Sequence, residues 1–343
     1  MIKRGRGFIL VLVLWVLAAM TIAASAFSVW VSNTTRFAIQ IGDEREAQIE
    51  RFATLESIKF LLASHPSRAS GLIVAEDPQQ LVRQWLSEPL ANHRIDGSES
   101  DLRFDGTWYR GLGSVVFSIQ DESGLIGLNR LRADHAGALL GQFGINPFQR
   151  RRLIDSLVDY GGLHGNPARD VSYQSAGLPV PPRRELLVPG EARWVLGWHT
   201  LDALWDNQRW QRNTSAIWGG VLNLNAASKT VLASVPEIGP GPAAVLLERR
   251  RRLGYVTIVD AERIVGRSLD PLTFMLVSGE ALRVTIADSV SNRATSHTLE
   301  LTARSPGVKP WRVHSTQTVY GPELDYTSTR TVEHALLAPS QAE

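Results

Sequence analysis

The longest apolar run in the chain, Ile9 to Val31, contains no proline, no glycine and no charge. A helix of about 20 apolar residues crosses a bilayer core, so this run is long enough to span one. Lys3, Arg4 and Arg6 precede it, and basic residues ahead of a span predict a cytoplasmic N-terminus. Everything after Ser32 then lies on the far side. From Asp43 to Ser64 the period becomes helical: Ile49, Phe52, Leu55, Ile58 and Leu62 recur at steps of three and four. Pro66 ends that helix. Running on from the span, it makes a stalk; equally, it is a membrane-proximal helix lying on its own domain.

Asp77 to Ser87 reads as a short helix. Leu102 to Gln120 turns strand-like, with Trp108, Val115, Val116, Phe117 and Ile119 as strand formers and Asp105-Gly106 as a hairpin turn. From Leu125 to Leu269 the pattern is one of short helices with sharp stops. Arg132 to Phe143 ends at Gly144, and Asn146-Pro147 opens a helix that breaks at Gly161-Gly162. Leu163 to Pro182 is a polar loop, and Arg184 to Leu187 and Glu191 to Leu196 are helical turns. Leu222 to Asn225 is extended. Helices at Ala227 to Val235 and Pro242 to Leu253 flank a tight turn, and Asp260 caps another through Val265. Strands return at Thr273 to Val277, Ala281 to Ala287, Thr298 to Ala303 and Arg312 to Val319, an antiparallel set. The pattern predicts an α+β fold: one sheet, interrupted by a helical insertion and packed on the N-terminal helix. The predicted segments are a span at 8–31, a stalk at 32–65, a first sheet portion at 66–124, the insertion at 125–269, a second sheet portion at 270–337 and a tail at 338–343.

The N-terminus admits three fates. It is a plain anchor, or a signal peptide cleaved at Ala24-Ser25-Ala26, or a prepilin leader (1–7) cut after Gly7 with the apolar helix retained. Composition narrows the rest. The chain has 343 residues, 44% hydrophobic and 20% charged, and a net charge of +2 gives no global pull on nucleic acid. With no cysteine, disulfides, thiolate metal sites and thiol catalysis are excluded. Most of the ten tryptophans are expected in core or interface.

Two stretches carry candidate chemistry. Val235 to Pro242 between two helices resembles a helix-hairpin-helix, in which Gly239 and Gly241 would present backbone amides to phosphate and Arg249, Arg250, Arg251 and Arg252 would add charge. Its alternative is a compact structural hairpin whose arginines favour the helix C-terminus. His135, His164, His199 and His297 stand without a partner at metal-ligand spacing. Asp155 and Asp159, one turn apart, are an acid–base or metal pair or a solvated helix face. Neither Gly-x-Ser-x-Gly nor a phosphate loop occurs. Ser25, Ser28 and Ser32 read as packing or hydrogen-bonding groups in or beside the span.

Three motifs in order resemble the K-type minor pseudopilins of type II secretion systems. They are Arg6-Gly7-Phe8 with Val13-Leu14-Trp15-Val16-Leu17, then Asp121-Glu122-Ser123-Gly124-Leu125-Ile126-Gly127-Leu128-Asn129, and then Leu222-Asn223-Leu224-Asn225-Ala226-Ala227 with Val231-Leu232-Ala233-Ser234-Val235-Pro236. Ordinary pseudopilins carry Glu at the fifth mature position; here that position is Leu12, as the K type is expected to show. The resemblance implies a non-enzymatic inner-membrane protein with one span and a periplasmic C-terminal domain. Prepilin peptidase would cut after Gly7 and methylate Phe8. The partners implied are the I- and J-type minor pseudopilins, the pseudopilus tip and secreted cargo. It also implies a SAM-like or helix-hairpin-helix-like insertion in which Asp159 and Asp170 are what remains of a calcium site. No other cofactor is expected. The alternative is an anchored or signal-bearing periplasmic DNA-binding protein.

Overall fold

The computed structural model describes residues 6–65, 67, 69–74, 102–162, 167–217, 219–288, 293–302, 310–320, 329–332 and 334–337. The helix expected at Asp77 to Ser87 and the tail after Leu337 lie outside the described residues. Two compact units divide the chain, Met1–Glu50 and Arg51–Glu343.

The first unit is helical from Arg6, part of the helix Arg6–Ser64. Its side chains are exposed from Leu10 to Glu46. Thr21, Ser25, Thr34 and Thr35 each return their hydroxyl to the carbonyl four residues back, at 2.7–2.9 Å. A hydroxyl satisfied this way makes no demand on its surroundings.

In the second unit the last turns of the same helix bury Leu55, Ile58, Leu61 and Leu62 against Val115, Phe117, Ile119, Leu282, Val284, Ile286 and Leu299. The predicted stripe is only partly right. Ile49 and Phe52 are 68% and 65% exposed. Each three-residue step turns a helix about 60° short of a full circle, so these two have rotated away from the face that Leu55 to Leu62 present. The sheet runs Trp311–Tyr320, Arg293–Leu301, Ala281–Asp288, Val115–Asp121, Asp105–Arg110, every neighbour antiparallel. Val115–Asp121 pairs directly with Ala281–Asp288, Phe117 opposite Ile286 and Ile119 opposite Val284. One sheet therefore closes across the interruption, as expected from strands on both sides of the helical block.

Several local expectations need correction. The hairpin turn is not Asp105-Gly106 but Gly111 to Ser114, where Gly111 N donates to Val115 O at 2.8 Å. Gly106, at φ +81°, serves instead a register shift between Asp105 and Trp108, the use of glycine in a bulge. Thr273 to Val277 is not part of the antiparallel set: Phe274–Met275 pairs in parallel with Leu222–Asn223 inside the insertion. The loop at Leu163 to Pro182 contains a helix, Pro167–Ser175, because Tyr173 is fully buried beside Tyr160. Arg184 to Leu187 is not helical, while Pro189–Trp194 is a 3-10 turn. The helix Ile258–Val265 is capped by Thr257, whose hydroxyl accepts from Asp260 N at 3.1 Å.

The insertion has its own core. Trp198 and Trp210 meet edge to face with ring centroids 4.6 Å apart, both fully buried. The indole N–H of Trp198 donates to Leu153 O at 2.9 Å and that of Trp205 to Trp198 O at 3.0 Å. Burial of such rings is inexpensive when the polar edge is satisfied, as for Trp198 and Trp205; the Trp210 indole N–H is buried without a partner.

Candidate functional site

The two internal motifs, about a hundred residues apart in sequence, meet where the insertion leaves and rejoins the sheet. Asp121 is wholly buried. Its carboxylate accepts from Ser123 N at 2.8 Å, Asn223 Nδ2 at 2.9 Å and Gly279 N at 3.0 Å. Asn225 donates to Val256 O and Leu276 O and accepts from Val256 N. Glu122 forms a two-pronged pair with Arg283, at 2.7 and 3.1 Å, and Arg283 also donates to Gln211 O and Thr214 O. Asn129 closes the first motif by donating to Leu186 O and Ala216 O and accepting from Leu186 N. Gly124 has no room for a side chain: a Cβ there would lie 2.6 Å from the Ala226 carbonyl carbon. Buried side chains bonded this way orient the elements that carry them, although the Ser123 hydroxyl is buried without a partner. The arrangement is a mount for the insertion, with the Asp121 and Glu122 carboxylates and the Asn223, Asn225 and Asn129 amides committed to internal bonds.

A second tie reuses the predicted basic run. Arg250 is 5% exposed and donates to Leu224 O and Ala227 O at 3.1 and 2.8 Å. It lies 3.6 Å from Asp105, which Arg103 approaches at 3.2 Å. Burial pushes the Asp105 carboxyl up, but Arg250, Arg103 and the hydrogen bonds from Thr107 together outweigh it and hold it below its ordinary value. Arg249 pairs with Asp260 at 2.8 Å, and Arg251 stands 3.7 Å from Glu248. Of the four arginines only Arg251 and Arg252 stand on the open side of the helix Pro240–Leu253.

The hairpin before that helix gathers little for a phosphate. Gly239 has φ +78°, and the helix begins Pro240-Gly241-Pro242. Prolines have no N–H, so Gly241 alone of those three has an amide to offer. Arg251 and Arg252 come about 15 Å further along the helix, at about 1.5 Å per residue. The structure thus separates Gly239 and Gly241 from the arginines that the DNA-binding alternative joins to them.

Asp159 and Asp170, the calcium candidates, face arginines: Arg169 at 3.9 Å and Arg183 at 2.6 Å. Calcium takes six to eight oxygens, and a guanidinium already neutralises each of these carboxylates. His297 bonds Thr316 at 3.0 Å, and His164 lies outside the described residues. His135 is different. It is 5% exposed, and its Nε2 stands 3.5 Å from Glu237 Oε2. Asp134 adjoins it, and Arg132 lies 3.4 Å from Asp134 and 3.6 Å from Glu237. Burial holds His135 below its ordinary value, with Arg132 adding to the effect, against the pull of Asp134 and Glu237. Sequence spacing hides this group, since Glu237 arrives on a distant hairpin; its one sequence signal is an acid inside an otherwise Pro/Gly-rich turn.

At the other end, Gly7 and Phe8 lie in the first helical turn. Among the described residues, one helix is long and apolar enough to cross a membrane. Leu12 stands on it, 54% exposed.

No protein-family model matches the chain, and no curated protein matches it. Among solved structures, it is similar to a chain in the crystal structure of the GspK–GspI–GspJ complex from the type 2 secretion system of enterotoxigenic Escherichia coli. The two are 13% identical with a TM-score of 0.44, over 83% of this chain and 98% of that one.

Proposed function

We propose that the chain is a minor pseudopilin of the K type, acting without catalysis at the tip of a type II secretion pseudopilus. The observation that carries this reading is the pairing of Val115–Asp121 with Ala281–Asp288. A pilin-type sheet on the end of a long helix stays whole while a folded insertion the size of a domain emerges from its middle. The sequence motifs support the same reading, because the two internal ones form the mount of that insertion. So bulky an addition is compatible with a filament end and not with stacked positions inside it.

The N-terminal segment fits the same role. Gly7 to Thr35 carry no charge, and a retained span would anchor the protein in the inner membrane with its C-terminal domain in the periplasm. Leu12 replaces the acid that pairs with a neighbour's N-terminal amine. A carboxylate with no partner in hydrocarbon is costly, so its loss suits a subunit with nothing stacked above it. The partners proposed are the I- and J-type minor pseudopilins, through the exposed face of the apolar helix.

The test is the mass of the mature N-terminus, from protein expressed in a host supplied with prepilin peptidase. A chain beginning at Phe8 with one added methyl is expected. A chain beginning at Phe27, or an uncut Met1, overturns the reading. Replacing Gly7 with a bulky residue should leave the leader in place.

A further inference from the structure

We propose that His135, Glu237 and Asp134 form a binding site for one divalent transition ion of the zinc type, joining the first helix of the insertion to the turn before the helix Pro240–Leu253. One ligand atom from each residue lies within 4.8 Å of the other two. The imidazole is the independent pointer. His135 is 5% exposed, and its Nε2 is buried without a hydrogen-bond partner while directed at Glu237. Glu237 Oε2 is likewise buried and unmatched. With the imidazole proton on Nδ1, Nε2 and Glu237 Oε2 are two acceptors 3.5 Å apart, an arrangement that a cation between them relieves.

The donor set chooses the ion. One nitrogen and two carboxylates suit zinc, which takes His, Asp and Glu at about 2.0–2.2 Å. They do not suit calcium, which wants many oxygens. Tetrahedral ligands at those bond lengths stand roughly 3.3 Å apart, and the His135 to Glu237 distance of 3.5 Å is already close to that. Asp134 has the larger adjustment to make: its side chain is 47% exposed, but to turn it must release the His135 N–H at 3.0 Å and Arg132 at 3.4 Å. Water completes the shell from the exposed side.

Arg132 is the competitor. It lies within 3.6 Å of both carboxylates and is held by a bond to Thr273 Oγ1 at 2.9 Å. It supplies one positive charge against two negative ones, so the site keeps a net attraction for a dication but a weakened one. The geometry therefore carries a prediction that a purely structural cluster does not: removing the guanidinium strengthens metal binding.

The experiment uses the untagged full chain in detergent micelles, stripped with EDTA and titrated with Zn²⁺ by calorimetry. Substituted Co²⁺ reports the geometry by its visible absorption. One ion per chain is expected, with a tetrahedral Co²⁺ spectrum. Glu237→Gln should abolish the stoichiometric heat. Arg132→Gln should tighten binding by roughly tenfold, the effect of one cationic charge a few ångströms from a dication in a half-exposed site. Circular dichroism establishes that both variants are folded. Absence of saturable heat in the parent chain overturns the proposal. So does binding unchanged in both Glu237→Gln and Arg132→Gln, which would place the ion elsewhere.

Discussion

Replacing Glu122 with glutamine tests whether the mount holds the insertion on the sheet. The Glu122 side chain is 1% exposed and that of Arg283 14%, so the pair is screened from water. Removing one partner of a buried pair costs about 3–5 kcal/mol, because the other charge stays behind uncompensated. Here the lower end applies. Glutamine can still accept one bond, and Arg283 retains Gln211 O and Thr214 O at 2.7 and 2.9 Å. About 3 kcal/mol lowers the midpoint of a domain this large by roughly 6 °C, at about 2 °C per kcal/mol. The assay is thermal unfolding of the full chain in micelles, followed by tryptophan fluorescence, with amide exchange as a local readout. Exchange should quicken first over Arg209–Asn213 and Thr214–Ser215, whose carbonyls Arg283 holds. The double variant Glu122→Leu with Arg283→Met should recover part of the loss. It removes the stranded charge but leaves two carbonyls without a donor. A Glu122→Gln midpoint within about 1 °C of the parent, well short of the roughly 6 °C scale, would refute the reasoning; so would a double variant no more stable than the single one.

Gly124→Ala should destabilise by about 3 kcal/mol, the upper end for overpacking, since the new methyl meets backbone at Ala226; urea unfolding measures it. Thr257→Ala should cost about 1 kcal/mol, as for other lost caps, and speed amide exchange within Ile258–Val265 more than elsewhere. Asp105→Asn should be less stable than the parent at neutral pH. Because the folded carboxyl is held below its ordinary value near 3.8, its contribution is complete above that value and is lost as pH falls through the folded one. The gap between parent and variant, followed by midpoints from pH 7 down, should therefore narrow only below that value. A gel-shift series at low salt should show no retardation of DNA by the full chain, since Arg250 is buried and Arg249 paired; retardation that vanishes with salt would restore the nucleic-acid alternative.

Much of the fold was legible in the chain. Alternation at Leu282, Val284 and Ile286 marks a buried sheet face after the helical block, and the strand formers Val115, Val116, Phe117 and Ile119 mark the strand before it. Period-two patterning records burial directly, which is why the later strand was readable; the earlier one, buried on both faces, was readable from its β-branched and aromatic residues. The helix Pro167–Ser175 was not, because its stretch is mostly polar and its one anchor, Tyr173, finds its place only after Tyr160 is positioned. Phe274–Met275 read as another strand of the sheet, since two residues of pattern cannot say which partner a strand takes.

The sequence by itself determined the apolar helix, the helical block between two sets of strands and the motifs that bound the block. Each follows from local free energies: transfer of side chains, backbone preferences and caps. Only the tertiary structure decided what the charged residues do. It buried Arg250 beside Asp105, turned Asp159 and Asp170 toward arginines, locked Glu122 to Arg283 and brought Glu237 to His135. Those outcomes depend on distances between residues far apart in the chain. Charge acts through space and through the water that folding removes, and neither is written in the order of the residues.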